Sequence, residues 1–237
     1  MSKRILHGID VSEWQKKIDW QKVAADGVEF AMIRATHGLK VDAYFEDNIK
    51  GAFAAGINVG VYCCSYGDTV SEVLAEADFL LDTIEPYRKY ITYPVAFDAE
   101  QQSQFKLGKK KVTELILAFC KAVHERGYVS LNYTNCNWLN NVIDKDAVAG
   151  AGIDTWVSWP VAADSFNENL VDGVTKHDHT MWQFTDCGRV GGINGDVDLN
   201  LCYEDYPAMY AKSSSVISVS DLVAELTLRG ITHIVLE

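Results

Sequence analysis

The 237-residue sequence lacks the features that mark several large classes of protein. No apolar run is long enough to cross a membrane, so we expect no membrane insertion. Basic residues are outnumbered, and the net charge of −12 argues against a nucleic-acid binder, which needs a basic surface. The same charge opposes attraction to anionic membranes or polymers, so shape and hydrogen bonds, or another module, would have to recognise an anionic target.

Several motifs of catalysis and cofactor binding are also absent. No glycine-rich dinucleotide or phosphate motif follows the first predicted strand, and no G-x-S-x-G elbow is present. The six histidines show no strong ligand pattern, and no two cysteines form a C-x-x-C pair, so we expect no metal and no cofactor. We interpret the six cysteines as buried free thiols, which suits folding in a reducing cytoplasm.

The N-terminal residues carry basic side chains but no apolar segment behind them. This pattern predicts that no signal peptide is present and that the chain is made in the cytoplasm.

Apolar segments alternate between the strand period and the helix period along most of the chain. We predict strands at 6–11, 30–35, 57–63, 94–97 and 128–133, separated by helices at 19–25, 45–55, 70–84 and 112–125. Strands at 155–159 and 180–184 and a glycine-rich hairpin at 188–201 follow. About five βα units and a mostly β segment predict the α/β class with a parallel sheet, either closed or open.

The C-terminal part of the chain has a different composition. Serine and lysine at 209–215 predict a linker. Residues 216–237 are too few for a domain of their own. We expect them to be a fragment of a second module, an oligomerisation element or a packing appendage.

Two carboxylates stand two residues apart where the fourth predicted strand ends. Asp98 and Glu100 point to the same side if the strand continues, because alternate side chains of a strand share a face. Their separation along the strand is roughly 6.6 Å, which is the scale of a glycosidase carboxylate pair. The alternative is a strand that simply runs into a polar, solvated loop.

Other predicted strands also end in acidic and aromatic residues. Carboxylates beside tyrosine and tryptophan suit sugars, because rings stack on sugar faces while carboxylates bind hydroxyls or transfer protons. Asp10 and Asp198 join the pair in this interpretation, although capping and turn roles remain open for them. We expect Trp14 and Trp20 to be packing residues.

The ordered motifs resemble those of family 25 glycoside hydrolases, the N-acetylmuramidase lysozymes of bacteria, fungi and phages. The resemblance covers about residues 5–206 and implies an irregular TIM-like β/α barrel over residues 1–208, with a short C-terminal appendage. The motifs are Gly8–Gln15, Ile18–Trp20, Ile33–Thr36, Val59–Tyr62, Phe97–Glu100, Trp182–Phe184 and Gly195–Asn200.

The resemblance implies hydrolysis of bacterial peptidoglycan at the β-1,4 bond from N-acetylmuramic acid to N-acetylglucosamine. Glu100 would be the general acid and Asp98 the assisting carboxylate, with retention through the 2-acetamido group of the substrate. Asp10 and Asp198 would bind sugar and tune this pair. Further expected substrate contacts are Tyr62, Tyr133, Trp159, Trp182 and Asp196.

The family resemblance suggests a phage endolysin or a bacterial autolysin that reaches the wall after release from the cell, and residues 216–237 would then be part of a wall-binding or oligomerisation module. Two departures from the family pattern concern the sugar contacts, namely Cys63-Cys64 after Tyr62 and the sequence Trp156–Pro160. A barrel that binds wall glycan without cutting it, and a glycosidase of another N-acetylated glycan such as chitin, are the alternatives.

Overall fold

A computed structural model describes residues 4–166 and 179–215 of the chain. The chain divides into two compact units, Met1–Glu204 and Asp205–Glu237. Within the described residues, no helix is long and apolar enough to span a bilayer.

The first unit alternates strands and helices, as the sequence predicted. Its strands are β1 (Leu6–Val11), β2 (Phe30–His37), β3 (Lys40–Val41), β4 (Asn58–Cys64), β5 (Ile91–Asp98), β6 (Ser130–Asn135), β7 (Asp154–Ser158), β8 (Met181–Gly188) and β9 (Val197–Cys202). Its helices are α1 (Trp20–Ala25), α2 (Phe45–Ala54), α3 (Val70–Ile84), α4 (Gln102–Phe105), α5 (Lys109–Glu125), α6 (Cys136–Asn141) and α7 (Lys145–Gly150), with 3-10 turns at Glu13–Gln15 and Glu85–Tyr90.

Eight of these strands close into a barrel. The order around it is β1-β2-β4-β5-β6-β7-β8-β9, and β9 pairs back with β1. Pairs from β1 to β8 are parallel, whereas β9 is antiparallel to both neighbours. The short β3 extends one side of β2. Five βα units followed by β strands thus form a TIM-like α/β barrel, which confirms the predicted fold class.

Close packing at both faces of the sheet explains several residue choices. Gly8 of β1 is required because a Cβ atom there would lie 2.2 Å from the ring of Phe30. Phe30 stacks on Tyr93 at a ring-centroid distance of 4.8 Å. Outside the barrel, Phe97 of β5 meets Phe119 of α5 at 4.6 Å, which anchors that helix to the strand carrying Asp98.

Helix starts follow local capping chemistry. Thr69 and Glu72 form a reciprocal capping box, so α3 begins at Val70 as predicted. Helix α5 begins three residues before its predicted start, at Lys109, directly after Gly108.

Two predictions need correction, and a third concerns residues that the structure does not describe. Strand β5 begins at Ile91 rather than at 94, and its register with β4 shifts between Val59 and Val61, near Pro94, which has no N–H to donate. Residues 209–215, expected to be a linker, belong to the helix α8 (Tyr206–Ser215), where a side-chain oxygen of Asp205 accepts from the N–H of Ala208. Residues 216–237 lie outside the described residues.

The cysteines are free, as expected, but not all are buried. Cys187 is exposed, and Cys64 and Cys136 are half-buried. Cys64 ends a barrel strand at the mouth described next, which explains its partial exposure.

Candidate active site

The carboxyl ends of the parallel strands surround a cavity of about 320 Å³. Sites of β/α barrels form at this end, because the loops that follow the strands meet there. Every barrel strand except β2 contributes at least one residue to the described lining. The lining residues are Asp10, Tyr62, Asp98, Glu100, Tyr133, Trp156, Ser158, Pro160, Gln183, Asp186 and Asp198.

The antiparallel pairing of β1 with β9 places Asp10 directly opposite Asp198. Two amide groups donate to the same oxygen of Asp10: Nε2 of Gln183 and Nδ2 of Asn200, each 2.8 Å from Oδ2. An oxygen that receives two amide donors is held as an acceptor, so the network favours the ionised form of Asp10.

Asp10 and Asp198 share a proton unequally. Burial raises the pKa of Asp10 to about 6, although the amide donors Asn200 and Gln183 oppose the rise. Burial raises the pKa of Asp198 further, to about 8, and the nearby charges of Asp10 and Asp186 add to the rise. Asp198 is also hydrogen-bonded to Asp10, which requires one of the two to be protonated. These shifts favour a proton on Asp198 and a charge on Asp10 near neutral pH.

Asp98 and Glu100 form the other carboxylate pair. Asp98 is buried at the end of β5, and burial together with the charge of Glu100 raises its pKa well above the usual value. The thiol of Cys64 and the charge of Arg34 oppose this rise. Oδ1 of Asp98 is buried and has no hydrogen-bond partner among the described residues.

Glu100 is the more accessible carboxylate of the pair. Its side chain is exposed by surface area, yet it faces the concave mouth, where neighbouring atoms displace part of its hydration. Partial burial therefore raises the pKa of Glu100, and a hydrogen bond with Asn135 opposes the rise. Glu100 can reach a ligand in the cavity while favouring its protonated form more than a free glutamate does.

An aromatic wall lines the cavity beside the acids. The ring of Trp156 contacts those of Tyr133 and Tyr62 edge-on, at centroid distances of 4.5 and 6.1 Å. Trp156 also donates from Nε1 to Oδ1 of Asn200 at 2.8 Å, and the hydroxyl of Tyr133 donates to Oε1 of Gln183 at 2.9 Å. Both aromatic side chains are thus held by the amides that bind Asp10.

The structure brings together all four predicted carboxylates and both predicted tyrosines. Trp159, Trp182 and Asp196 lie outside the cavity lining. Nε1 of Trp182 donates to the carbonyl of Trp159, and Asp196 forms an exposed ion pair with Arg189. Their roles in substrate binding stay predictions.

Three residues of the network escaped the sequence analysis. Gln183 and Asn200 stand inside quoted motifs, one residue after Trp182 and two residues after Asp198. Two-residue alternation from Asp198 would have placed Asn200 on the same face. Trp156 ends up in the lining because β7 presents the same face as its neighbour β6, where Tyr133 is its register partner.

Paired carboxylates with raised pKa values, set against aromatic rings in a barrel mouth, define a class of protein: a sugar-cleaving hydrolase. Within the described residues, no group of His, Cys, Asp and Glu side chains has the arrangement of a metal site.

Comparison with known proteins gives the particular family. The family model described as glycosyl hydrolases family 25 matches residues 9–193, and the chain belongs to this family. It is therefore a glycoside hydrolase.

Individual relatives agree with this membership. Lysozyme M1 of Streptomyces globisporus is 30% identical over 203 residues, covering 82% of this chain and 67% of the relative. An uncharacterized Escherichia coli protein, YegX, is 32% identical over 203 residues, covering 83% and 69%. The crystal structure of the bacterial lysozyme from Streptomyces coelicolor superposes with a TM-score of 0.66 at 26% identity, covering 89% of this chain and 97% of that one.

Proposed function

We propose that this chain is a peptidoglycan hydrolase, an N-acetylmuramidase that cleaves the β-1,4 bond from N-acetylmuramic acid to N-acetylglucosamine. The observation that carries the proposal is the cavity of a family 25 barrel in which Asp10, Asp98, Glu100 and Asp198 meet beside an aromatic wall. The relatives named as lysozymes support this substrate class.

Glu100 is the general acid in this proposal. It is the exposed member of the Asp98–Glu100 pair at the open mouth, and partial burial raises its pKa. A protonated Glu100 gives its proton to the glycosidic oxygen as the bond to the sugar breaks. Partial burial at the mouth favours retention of that proton until substrate arrives.

Asp98 assists the reacting sugar. Asp98 lines the cavity, and in this proposal its carboxyl group accepts a hydrogen bond from the 2-acetamido N–H, which would orient the acetamido oxygen towards the anomeric carbon. Attack by that oxygen gives a cyclic intermediate that water opens with net retention. The side chains of Asp98 and Glu100 exchange protons as one coupled unit rather than as two independent acids.

In this proposal, Asp10 and Asp198 determine the electrostatic environment of the Asp98–Glu100 pair. Asp10 remains ionised because two amides hold its Oδ2, and its charge favours the developing positive charge on the sugar. Asp198 stays protonated, which limits the total negative charge in the cavity to a level that the barrel can hold.

Product analysis tests the bond assignment. Purified bacterial wall would be digested, the new reducing ends reduced with borohydride, and the fragments identified by mass spectrometry. Reduced N-acetylmuramic acid is expected at the new ends. Reduced N-acetylglucosamine would instead show glucosaminidase activity, and the absence of new ends would contradict glycan cleavage. Chitin oligomers in a parallel digestion test the alternative of another N-acetylated glycan.

A further inference from the structure

An apolar surface lies on the same rim as the cavity, where β1, β2 and β4 end. Trp14 was expected to pack inside, but 76% of its surface is exposed, so that prediction was wrong. Leu39 is 62% exposed, and Tyr66 and Val41 are also exposed. We call these four residues the β2 rim. They lie around the end of β2, the barrel strand that adds no side chain to the described cavity lining.

The segments that carry the β2 rim are linked to one another. The turn that carries Trp14 is joined to the loop after Val41, because the N–H of Glu13 donates to Oδ2 of Asp42 at 2.9 Å. On the other side of Leu39, a Cβ atom on Gly38 would lie 3.0 Å from the ring of Tyr66. Three segments that are distant in sequence are therefore held next to one another at this end of the barrel.

The turn that exposes Trp14 is rigid. Ser12 and Gln15 cap it reciprocally, and Arg34 bridges Glu13 and Asp42 at 3.0 and 2.8 Å. Lys16, which ends the turn, has a φ of 55° and is the one non-glycine residue recorded with positive φ in the described part of the chain. Such a conformation costs on the order of 1–3 kcal/mol and persists at functional sites.

Arg34 connects the β2 rim with the cavity. It lies under the rim and is the register partner of Tyr62, which lines the cavity. Its charge also acts on Asp98. Across the barrel, the strand opposite β2 is β7, and the exposed Trp159 follows it. The mouth therefore has exposed aromatic side chains on opposite sides of the acids.

We propose that the β2 rim binds sugar units of the same glycan chain beyond those held in the cavity, with Trp14 stacked on a pyranose face. This inference rests on the proposed function. A cavity of about 320 Å³ is near the lower limit for a ligand pocket, so a polymeric substrate continues over the rim. Trp14 and Tyr66 offer faces for rings, and the aliphatic Leu39 and Val41 suit acetyl methyl groups. Because the turn that carries Trp14 is already ordered, glycan binding would cost it little conformational entropy.

Binding is tested with the full chain carrying Glu100→Gln, so that glycan is not consumed. Co-sedimentation with insoluble glycan strands, stripped of stem peptides and wall polymers, gives the Kd. Adding Trp14→Ala is expected to weaken binding about tenfold, whereas Trp14→Tyr retains most of it. Phe53→Ala is the matched control, because Phe53 is an exposed aromatic near the end of α2, away from the mouth. Circular dichroism checks that each variant is folded.

The outcomes separate this inference from the proposed function. Unchanged binding in Trp14→Ala overturns the inference, even if the chain without these substitutions cuts the wall. Weakening seen only on wall that retains its stem peptides also overturns it, because the occupant would then be peptide. If binding to bare glycan falls as expected but the parent chain releases no reducing ends, the inference stands and the catalytic proposal fails.

Substrate length gives a second measurement in the active chain. Trp14→Ala is expected to lower kcat/KM about tenfold on long glycan strands and less than about twofold on fragments short enough to lie within the cavity. Equal losses on both substrates would contradict a role outside the cavity.

Discussion

The two carboxylate pairs at the barrel mouth differ in how their oxygens are satisfied. On β1 and β9, two donor chains, Trp156 to Asn200 and Tyr133 to Gln183, end on one oxygen of Asp10. On β5, buried Oδ1 of Asp98 has no partner in the described structure.

The contrast indicates a division of labour. A buried polar atom without a partner is costly, so its presence at a site points to a group supplied by the substrate. In the pair on β1 and β9, two amides donate to Asp10, whereas in the pair on β5 a buried oxygen of Asp98 lacks such a donor among the described residues. We expect substitutions in the β5 pair to affect the chemical step and those in the other pair to affect stability and pH dependence.

The largest expected effect is that of Glu100→Gln. Removal of the general acid is expected to lower kcat by about 10³-fold or more, since acid catalysis typically contributes roughly 10²–10⁴. Stability should hardly change, because the side chain is exposed and glutamine has the same shape. Release of reducing ends gives the rate, and thermal unfolding gives Tm.

Glu114→Gln is the matched control, because Glu114 is an exposed glutamate on α5 that pairs with Lys111, away from the cavity. Near-normal activity in Glu100→Gln would break the contrast between the pairs, since the acid would then lie elsewhere.

An intermediate effect is expected for Asp198→Asn, and it depends on pH. The folded-state pKa of Asp198 is about 8, above the value of about 3.9 in an unfolded chain. The folded protein therefore keeps a proton that the unfolded chain releases. The stability that Asp198 contributes is fully present below about pH 3.9 and is lost as pH rises through about 8. The asparagine amide that replaces the carboxyl group does not titrate. The Tm of Asp198→Asn minus the Tm of the parent chain should therefore increase as pH rises.

The measurement is the difference in Tm between Asp198→Asn and the parent chain from about pH 4 to about pH 9, a range that spans the two pKa values. We expect it to grow by a few degrees, since about 1 kcal/mol shifts Tm by about 2–4 °C in a domain of this size. A difference that stays constant with pH would show that Asp198 does not hold the proton.

The smallest effect is expected for Asp196→Asn. Asp196 stands two residues from Asp198 but forms an exposed ion pair with Arg189. Exposed pairs contribute little stability, about 0–1 kcal/mol. Activity within about twofold of the parent chain is expected in the reducing-end assay. A loss of about tenfold or more would extend the substrate site to this loop and support the sequence prediction that Asp196 binds sugar.

Much of the barrel could be predicted from local patterns. The first strand and α3 match their predicted bounds, because strand alternation and a capping box act over a few residues. The start of β5 was missed because the apolar run before Pro94 is interrupted by the proline itself. Residues 209–215 were missed because serine and lysine occur in linkers and in exposed helices alike.

Part of the candidate site could be predicted from the sequence, as part of the barrel could. Asp98 and Glu100 are visible as a local pair, whereas Asp10 and Asp198 were assigned through resemblance. The sequence analysis selected Trp182, rather than Gln183, as a substrate contact. Strand alternation places these neighbours on opposite faces, and the side-chain amide of Gln183 is the one that faces Asp10. Strand periodicity fixes two faces without saying which one points inward.

The sequence by itself determined the order of elements, the carboxylate pair on β5 and membership of a glycoside hydrolase family, because these depend on local patterns and on shared motifs. Only the tertiary structure decided that β9 closes the barrel against β1. That pairing sets Asp198 opposite Asp10 and brings Gln183 and Asn200 onto one oxygen, although 173 and 190 residues separate them from Asp10. Protonation follows from burial and from neighbours, and both exist only after the chain has folded.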